Sequence, residues 1–174
     1  MDQTVILTVV GSDRSGLTQA IADAVYGAGG NWLESHLTRL GGKYVGSVLV
    51  ELPEERLEEL EQAARSIDAI GLKVDIILSA KVDERSGEPL TIEIVGQDRP
   101  GIVREVTTVL ARLDVNIEDF FTAVEGGAWS GVPLFRARAK ILVPATLSTD
   151  EVRQALEDIS GEVMVDFDVE PAPS

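Results

Sequence analysis

A chain of 174 residues that carries no cysteine and a formal net charge of −15 excludes a disulfide framework, a thiol nucleophile and a cysteine-ligated zinc site. The same acidity repels phosphate backbones and anionic headgroups, so neither direct nucleic-acid binding nor membrane binding is expected. Met1-Asp2-Gln3 enters an apolar run of strand length without the basic and long apolar segments of a signal peptide, and a reducing, cytoplasmic setting is expected.

Val5 to Val10 is short, β-branched and closed by Gly11, which predicts a buried strand. Leu17, Ile21, Ala24, Val25 and Ala28 then recur at helical spacing until Gly29 and Gly30, residues of the kind that end helices. Asn31 to Arg39 and Lys43 to Leu52 read as a hairpin turned at Gly41-Gly42, and Pro53 stops its second strand. Glu54 to Ile70 carries helical periodicity, with Leu57, Leu60 and Ala64 as an apolar stripe inside an acid-rich, solvated segment. Leu72 to Ser79 is a last apolar strand, and Lys81 to Glu88 is a short polar linker.

The order then returns. Leu90 to Val95, Gly101 to Leu113, Val115 to Glu125, Leu134 to Val143, Thr149 to Ile159 and Glu162 to Val169 repeat strand, helix, strand, strand, helix, strand, with Pro100 at a position tolerated near a helix start. The predicted fold is α+β: two ferredoxin-like βαββαβ units, 1–80 and 89–174, each an antiparallel four-stranded sheet with two helices on one face. The front halves align at an offset of 85 whereas Pro53 and Pro144 differ by 91, so the second hairpin holds about six extra residues, Gly126 to Gly131.

Gly11-Ser12-Asp13-Arg14-Ser15-Gly16-Leu17 recurs as Gly96-Gln97-Asp98-Arg99-Pro100-Gly101-Ile102. A glycine-flanked loop entering a helix presents backbone N–H groups, here from residues 14–17 and 99–102 apart from Pro100, and these suit a carboxylate. Asp13, Asp98, Asn31 and Asn116 offer acceptors for an ammonium, and Gly16 and Gly101 permit close approach of a ligand to the backbone. An aspartate three residues before a glycine is equally a capping and turn solution, and an asparagine before a strand can simply satisfy a turn.

Asp13-Arg14-Ser15-Gly16-Leu17 with Asn31, and Asp98-Arg99-Pro100-Gly101-Ile102 with Asn116, resemble the loop motif of ACT domains, small βαββαβ modules that bind amino acids and regulate metabolism. The first loop departs from the commoner form, since Ser15 replaces the proline seen at Pro100. The resemblance implies a regulator, not an enzyme, that needs no cofactor or metal and senses a small amino acid such as glycine or serine. It implies control of a partner protein by contact, as in transcription regulators of the glycine cleavage type, with the ligand where the loop of one unit faces the early second strand of another. A homo-oligomer is expected. A regulatory subunit of an amino-acid metabolic enzyme is the first alternative. An acylphosphatase-like hydrolase using Arg14 or Arg99 with Asn31 or Asn116 is the second.

The remaining constellations read as structural. Asp166-Phe167-Asp168-Val169 looks like a phosphatase nucleophile string but alternates as a terminal strand, and His36, the sole histidine, has no assembled triad around it. Arg136, Arg138 and Lys140 alternate with apolar residues as the solvent face of one strand. Trp32 is expected in the core or between units. Trp129, in the glycine-rich insertion, is either a partner anchor or a cover folded onto its own sheet.

Overall fold

The computed structural model describes residues 1–80, 86–126, 131–159 and 164–168, and the chain divides into two units, Met1–Val82 and Asp83–Ser174. In the first, alternation of inward and outward residues builds β1 (Asp2–Ser12), which buries Val5, Leu7 and Val9 on one face. α1 (Leu17–Gly27) buries Leu17, Ile21 and Val25, one residue per turn, against that face. β2 (Asn31–Leu40) and β3 (Lys43–Pro53) form the hairpin, and Gly41 and Gly42 take φ of 57° and 77°, the positive values that a tight two-residue turn demands. A single 3-10 turn leads into α2 (Leu57–Asp68), whose buried Leu60, Ala64 and Ile67 leave its glutamates in solvent, and β4 (Leu72–Leu78) completes the sheet. The strand order is β2-β3-β1-β4, with every pairing antiparallel.

The second unit repeats this with β5 (Glu88–Gln97), α3 (Ile102–Arg112), β6 (Asn116–Gly126), β7 (Pro133–Val143), α4 (Thr149–Glu157) and β8 (Met164–Asp168), ordered β6-β7-β5-β8. Ile92, Ile94, Leu110, Ile141 and Leu156 are fully buried in its core, and each such side chain stabilises the unit by about 1.5–3 kcal/mol relative to exposure. α4 opens through a reciprocal cap: the Glu151 N–H donates to Ser148 Oγ at 3.3 Å, and the Ser148 N–H donates to Glu151 Oε2 at 2.8 Å. A cap of this kind stabilises a helix by about 1 kcal/mol. Each unit thus has the predicted α+β architecture.

The differences from expectation have local causes. α3 starts at Ile102 because Gly101 is the N-cap, so Pro100 lies before the helix rather than in its first turn. Both second strands carry a β-bulge, between Trp32 and Glu34 and between Ile117 and Asp119, at positions related by the repeat offset. Simple alternation conceals a bulge, since one extra residue moves every later side chain to the other face. Trp32 packs against the first core. Trp129 and residues 81–85 of the predicted linker lie outside the described residues. Among those described, no helix is long and apolar enough to cross a membrane.

Candidate functional site

Each repeated loop leaves the end of a central strand, β1 or β5, and enters a helix through a glycine in the left-handed region, with φ of 89° at Gly16 and 91° at Gly101. A side chain at those angles is strained, which is why glycine closes both copies of the motif. The N-cap residues are these glycines, not Asp13 or Asp98. The capping account of Asp13 and Asp98 therefore does not hold, and both carboxylates are left for other contacts.

In the second unit the loop borders a cleft of about 320 Å³. Asp98, Arg99 and Gly101 form its rim, Ile102 and Val103 of α3 one wall, Thr122, Ala123 and Val124 of β6 the other, and Phe135 of β7 lies at the base. The cleft exists because β6 is an edge strand: register pairs Val124 with the buried Phe135, yet Val124 itself stays 58% exposed. The Asp98 N–H donates to the Pro133 carbonyl at 2.9 Å, tying the loop to the far side of the hairpin. Arg99 forks onto Glu105 one turn into α3, with Nη1 to Oε1 at 2.8 Å and Nη2 to Oε2 at 2.5 Å.

That fork holds the Glu105 carboxyl below the ordinary glutamate range, through the Arg99 hydrogen bond first and the Arg99 and Arg104 charges as lesser causes. The sign follows from linkage: a depressed folded-state pKa contributes stability that is present above the unfolded value and lost as pH falls through the folded one. Glu105→Gln should therefore lower the melting temperature at pH 7, and the difference from wild type should shrink as pH falls below the ordinary glutamate range and vanish once the folded-state carboxyl is protonated, which calorimetry across pH would register.

In the first unit the corresponding contacts differ. Arg39 forms an ion pair with Asp13, Nε lying 2.8 Å from Oδ2, and Thr18 Oγ1 and Tyr44 Oη share a hydrogen bond of 2.6 Å.

The asparagines do not join these loops within a unit. Asn116 pairs with Leu142 near one end of the sheet, whereas Gln97, at the loop, pairs with Leu134 at the other, about 26 Å away at about 3.3 Å per residue. Asn31 opposite Glu51 and Ser12 opposite Lys43 are separated in the same way. The helix between loop and asparagine carries the chain back along the sheet, so the separation follows from the βαβ connection itself. Asn116 instead donates from Nδ2 to Glu118, the extra residue of the bulge. An arginine–asparagine phosphate cradle of the acylphosphatase kind is not formed within either unit.

ACT-domain signatures match residues 3–76 and, separately, 90–161. The chain belongs to the ACT-domain family. It is a tandem pair of ACT domains, and membership implies an amino-acid-binding regulatory role. A protein of unknown function from Galdieria sulphuraria is similar along nearly the whole length: 28% identity, a TM-score of 0.78, and coverage of 96% of this chain and 98% of that one. A candidate glycine cleavage system transcriptional repressor shares the two-unit fold with a TM-score of 0.73 and 15% identity, over 98% of this chain and 99% of the other.

The other predicted features of the two ACT domains fall outside the loops. Arg136, Arg138 and Lys140 line the open face of the second sheet, where Glu93 and Glu125 lie 3.4 and 3.5 Å from Arg136 and interleave opposite charge. That is a solvated strand face, as expected. His36 is exposed on β2, with Nε2 2.9 Å from Glu34 Oε1, and among the described residues no hydrogen bond joins its ring to a serine or threonine hydroxyl. Asp166 and Asp168 occupy register positions opposite Glu93 and Thr91 in β8, the terminal strand that the alternation indicated.

Proposed function

We propose that this tandem ACT protein is a non-enzymatic regulator that binds an α-amino acid in the cleft of its second domain and passes occupancy on as a changed affinity for a partner protein. The observation that carries the reading is the cleft itself. It sets a carboxylate, Asp98, on the same rim as the entry to α3, beside a lining that is apolar at Ile102, Val103, Ala123, Val124 and Phe135. An amino acid has matching ends. Its ammonium pairs with Asp98, for which no cation is a partner among the described residues. Its carboxylate meets the N–H groups of Val103 and Arg104, which precede the first α-helical bond of α3, from Glu105 to Gly101.

Arg99, Pro100, Gly101 and Ile102 shape the loop, with Asp13, Arg14, Ser15, Gly16 and Leu17 their counterparts in the first domain. Asn31 and Asn116 belong to the bulged strand starts and take no part in a cleft built from one domain. Likeness to the candidate glycine cleavage repressor makes glycine and serine the first ligands to test, and a transcription regulator the first partner to seek. The volume of about 320 Å³ admits both and leaves room for a larger apolar side chain, so all twenty amino acids belong in the screen.

The test is thermal shift against each amino acid, followed by calorimetry. A ligand present at 100 times its Kd should add about 2.7 kcal/mol of stability. Asp98→Ala should weaken binding about tenfold or more, the loss expected for a charge-assisted hydrogen bond, while Asn116→Ala leaves affinity within about twofold. Absence of a shift with every amino acid overturns the reading.

A further inference from the structure

We infer that the two ACT domains have diverged into one ligand site and one cleft that the chain fills with its own side chains, Arg39 and Tyr44, so that each chain takes up a single amino acid. The inference rests on the amino-acid reading above and names the residues that decide between the two loops. The repeat makes the comparison direct. At the offset of 85, Asp13 corresponds to Asp98, Thr18 to Val103 and Arg39 to Val124; beyond the hairpin, at 91, Tyr44 corresponds to Phe135. Register gives the same equivalence independently, because Arg39 pairs with Tyr44 as Val124 pairs with Phe135.

Three apolar wall residues of the second cleft, Val103, Val124 and Phe135, thus have polar counterparts in the first domain, Thr18, Arg39 and Tyr44; Thr18 bonds to Tyr44, and Arg39 pairs with Asp13. Arg39 reaches from the edge strand β2 to the loop carboxylate of Asp13 at 2.8 Å, placing a guanidinium where the second domain would receive a ligand's ammonium. Tyr44 spans from β3 to the first turn of α1, where its hydroxyl meets Thr18 at 2.6 Å. Val124, Val103 and Phe135 have no polar side-chain atoms with which to make either bridge.

The loop arginines show the reverse allocation. Arg99 is forked onto Glu105, but the residue equivalent to Glu105 in the first domain is Ala20, so Arg14 has no such anchor. The first loop therefore has its aspartate neutralised and its arginine unanchored, and the second has its arginine neutralised and its aspartate unpaired among the described residues. Only the second arrangement favours a zwitterion entering ammonium-first against the loop carboxylate.

Two measurements on the full chain test this. Calorimetric titration with whichever of the twenty amino acids stabilises the protein should give one equivalent bound to wild type. Arg39→Val/Tyr44→Phe, which installs the residues the second domain already carries at those places, should bind two. Val124→Arg, which builds the same bridge onto Asp98, should lower the wild-type affinity at least tenfold. Two equivalents on wild type, or an unaltered affinity in Val124→Arg, overturns the inference.

The second measurement needs no ligand. In NMR exchange experiments the Nε–H of Arg39, held in the ion pair with Asp13, should exchange with water at least threefold more slowly than the Arg14 Nε–H, and Asp13→Ala should remove the difference. Equal exchange in wild type overturns the closed first cleft. A chain that binds no amino acid yet protects the Arg39 Nε–H overturns the amino-acid reading while supporting the self-filled cleft, so the two failures are distinguishable.

Discussion

Gly46→Ala is expected to destabilise the first ACT domain by about 3 kcal/mol or more, through a backbone conflict that the surroundings have no means to relieve. Gly46 lies in β3 at φ of 151°, and a Cβ built on it would stand 1.9 Å from the His36 carbonyl oxygen and 2.9 Å from the Leu37 Cα, both in the adjacent strand β2. A clash with a flexible side-chain tip relaxes by rotation. A clash with backbone requires the strand pair to separate, and the pairs of His36 with Ser47 and Leu37 with Gly46 would be lost first. Urea unfolding followed by hydrogen exchange at the amides of β2 and β3 would show it; a midpoint within about 0.5 kcal/mol of wild type would mean the strands part at little cost. The repeat alone points the other way, since Ala137 fills the equivalent place in the second domain. The positive φ and the close approach of β2 are what make the two positions unequal.

Leu110→Ala should remove about 3 kcal/mol from the second ACT domain. Leu110 is fully buried on the inner stripe of α3 with Ile102 and Val106, and it belongs to the cluster formed with Ile92, Ile94, Ile141 and Leu156. Truncation takes away the transfer free energy of the lost methyls and leaves a cavity that a sheet on one side and a helix on the other collapse into only partly. A domain of this size is stable by about 5–10 kcal/mol in total, so the loss is a large fraction. The urea midpoint should fall with an unchanged slope, and hydrogen exchange at β5 and α3 should accelerate. Val109→Ala, one residue away on a partly buried position, should cost less than about 1 kcal/mol. Equal effects of the two would mean that the core does not distinguish them.

Function and stability meet in the loops, where two near-identical motifs lead to unlike clefts. Asp13-Arg14-Ser15-Gly16 and Asp98-Arg99-Pro100-Gly101 take nearly the same glycine angle at the helix start, so the backbone of the motif is local chemistry. Their environments are not local. Glu105 in α3, Arg39 in β2 and Tyr44 in β3 decide which loop charge is left over, and none of them belongs to the motif. The motif marks both loops and differs between them at Ser15 and Pro100; the contacts separate them by different residues altogether. The signal that would have shown this lies in the repeat alignment, where Arg39 faces Val124 and Tyr44 faces Phe135.

Local sequence patterns were enough for the order of elements, their duplication, the antiparallel α+β architecture and the apolar stripes of α1, α2 and α3. These follow from periodicities of 2 and 3.6 residues and from glycine and proline punctuation, all read within a dozen neighbouring positions. Such patterns also identified the loops, because a glycine required at positive φ leaves its mark in the residue type. Long-range contacts alone place Asn31 and Asn116 at the far end of the sheet from the loop of their own domain, put a bulge in both second strands, and pair Arg39 with Asp13 and Tyr44 with Thr18 where Val124 and Phe135 line a cleft. Those facts depend on strand register and on which side chains meet across residues far apart in the chain, and no local pattern encodes a partner that only folding brings near.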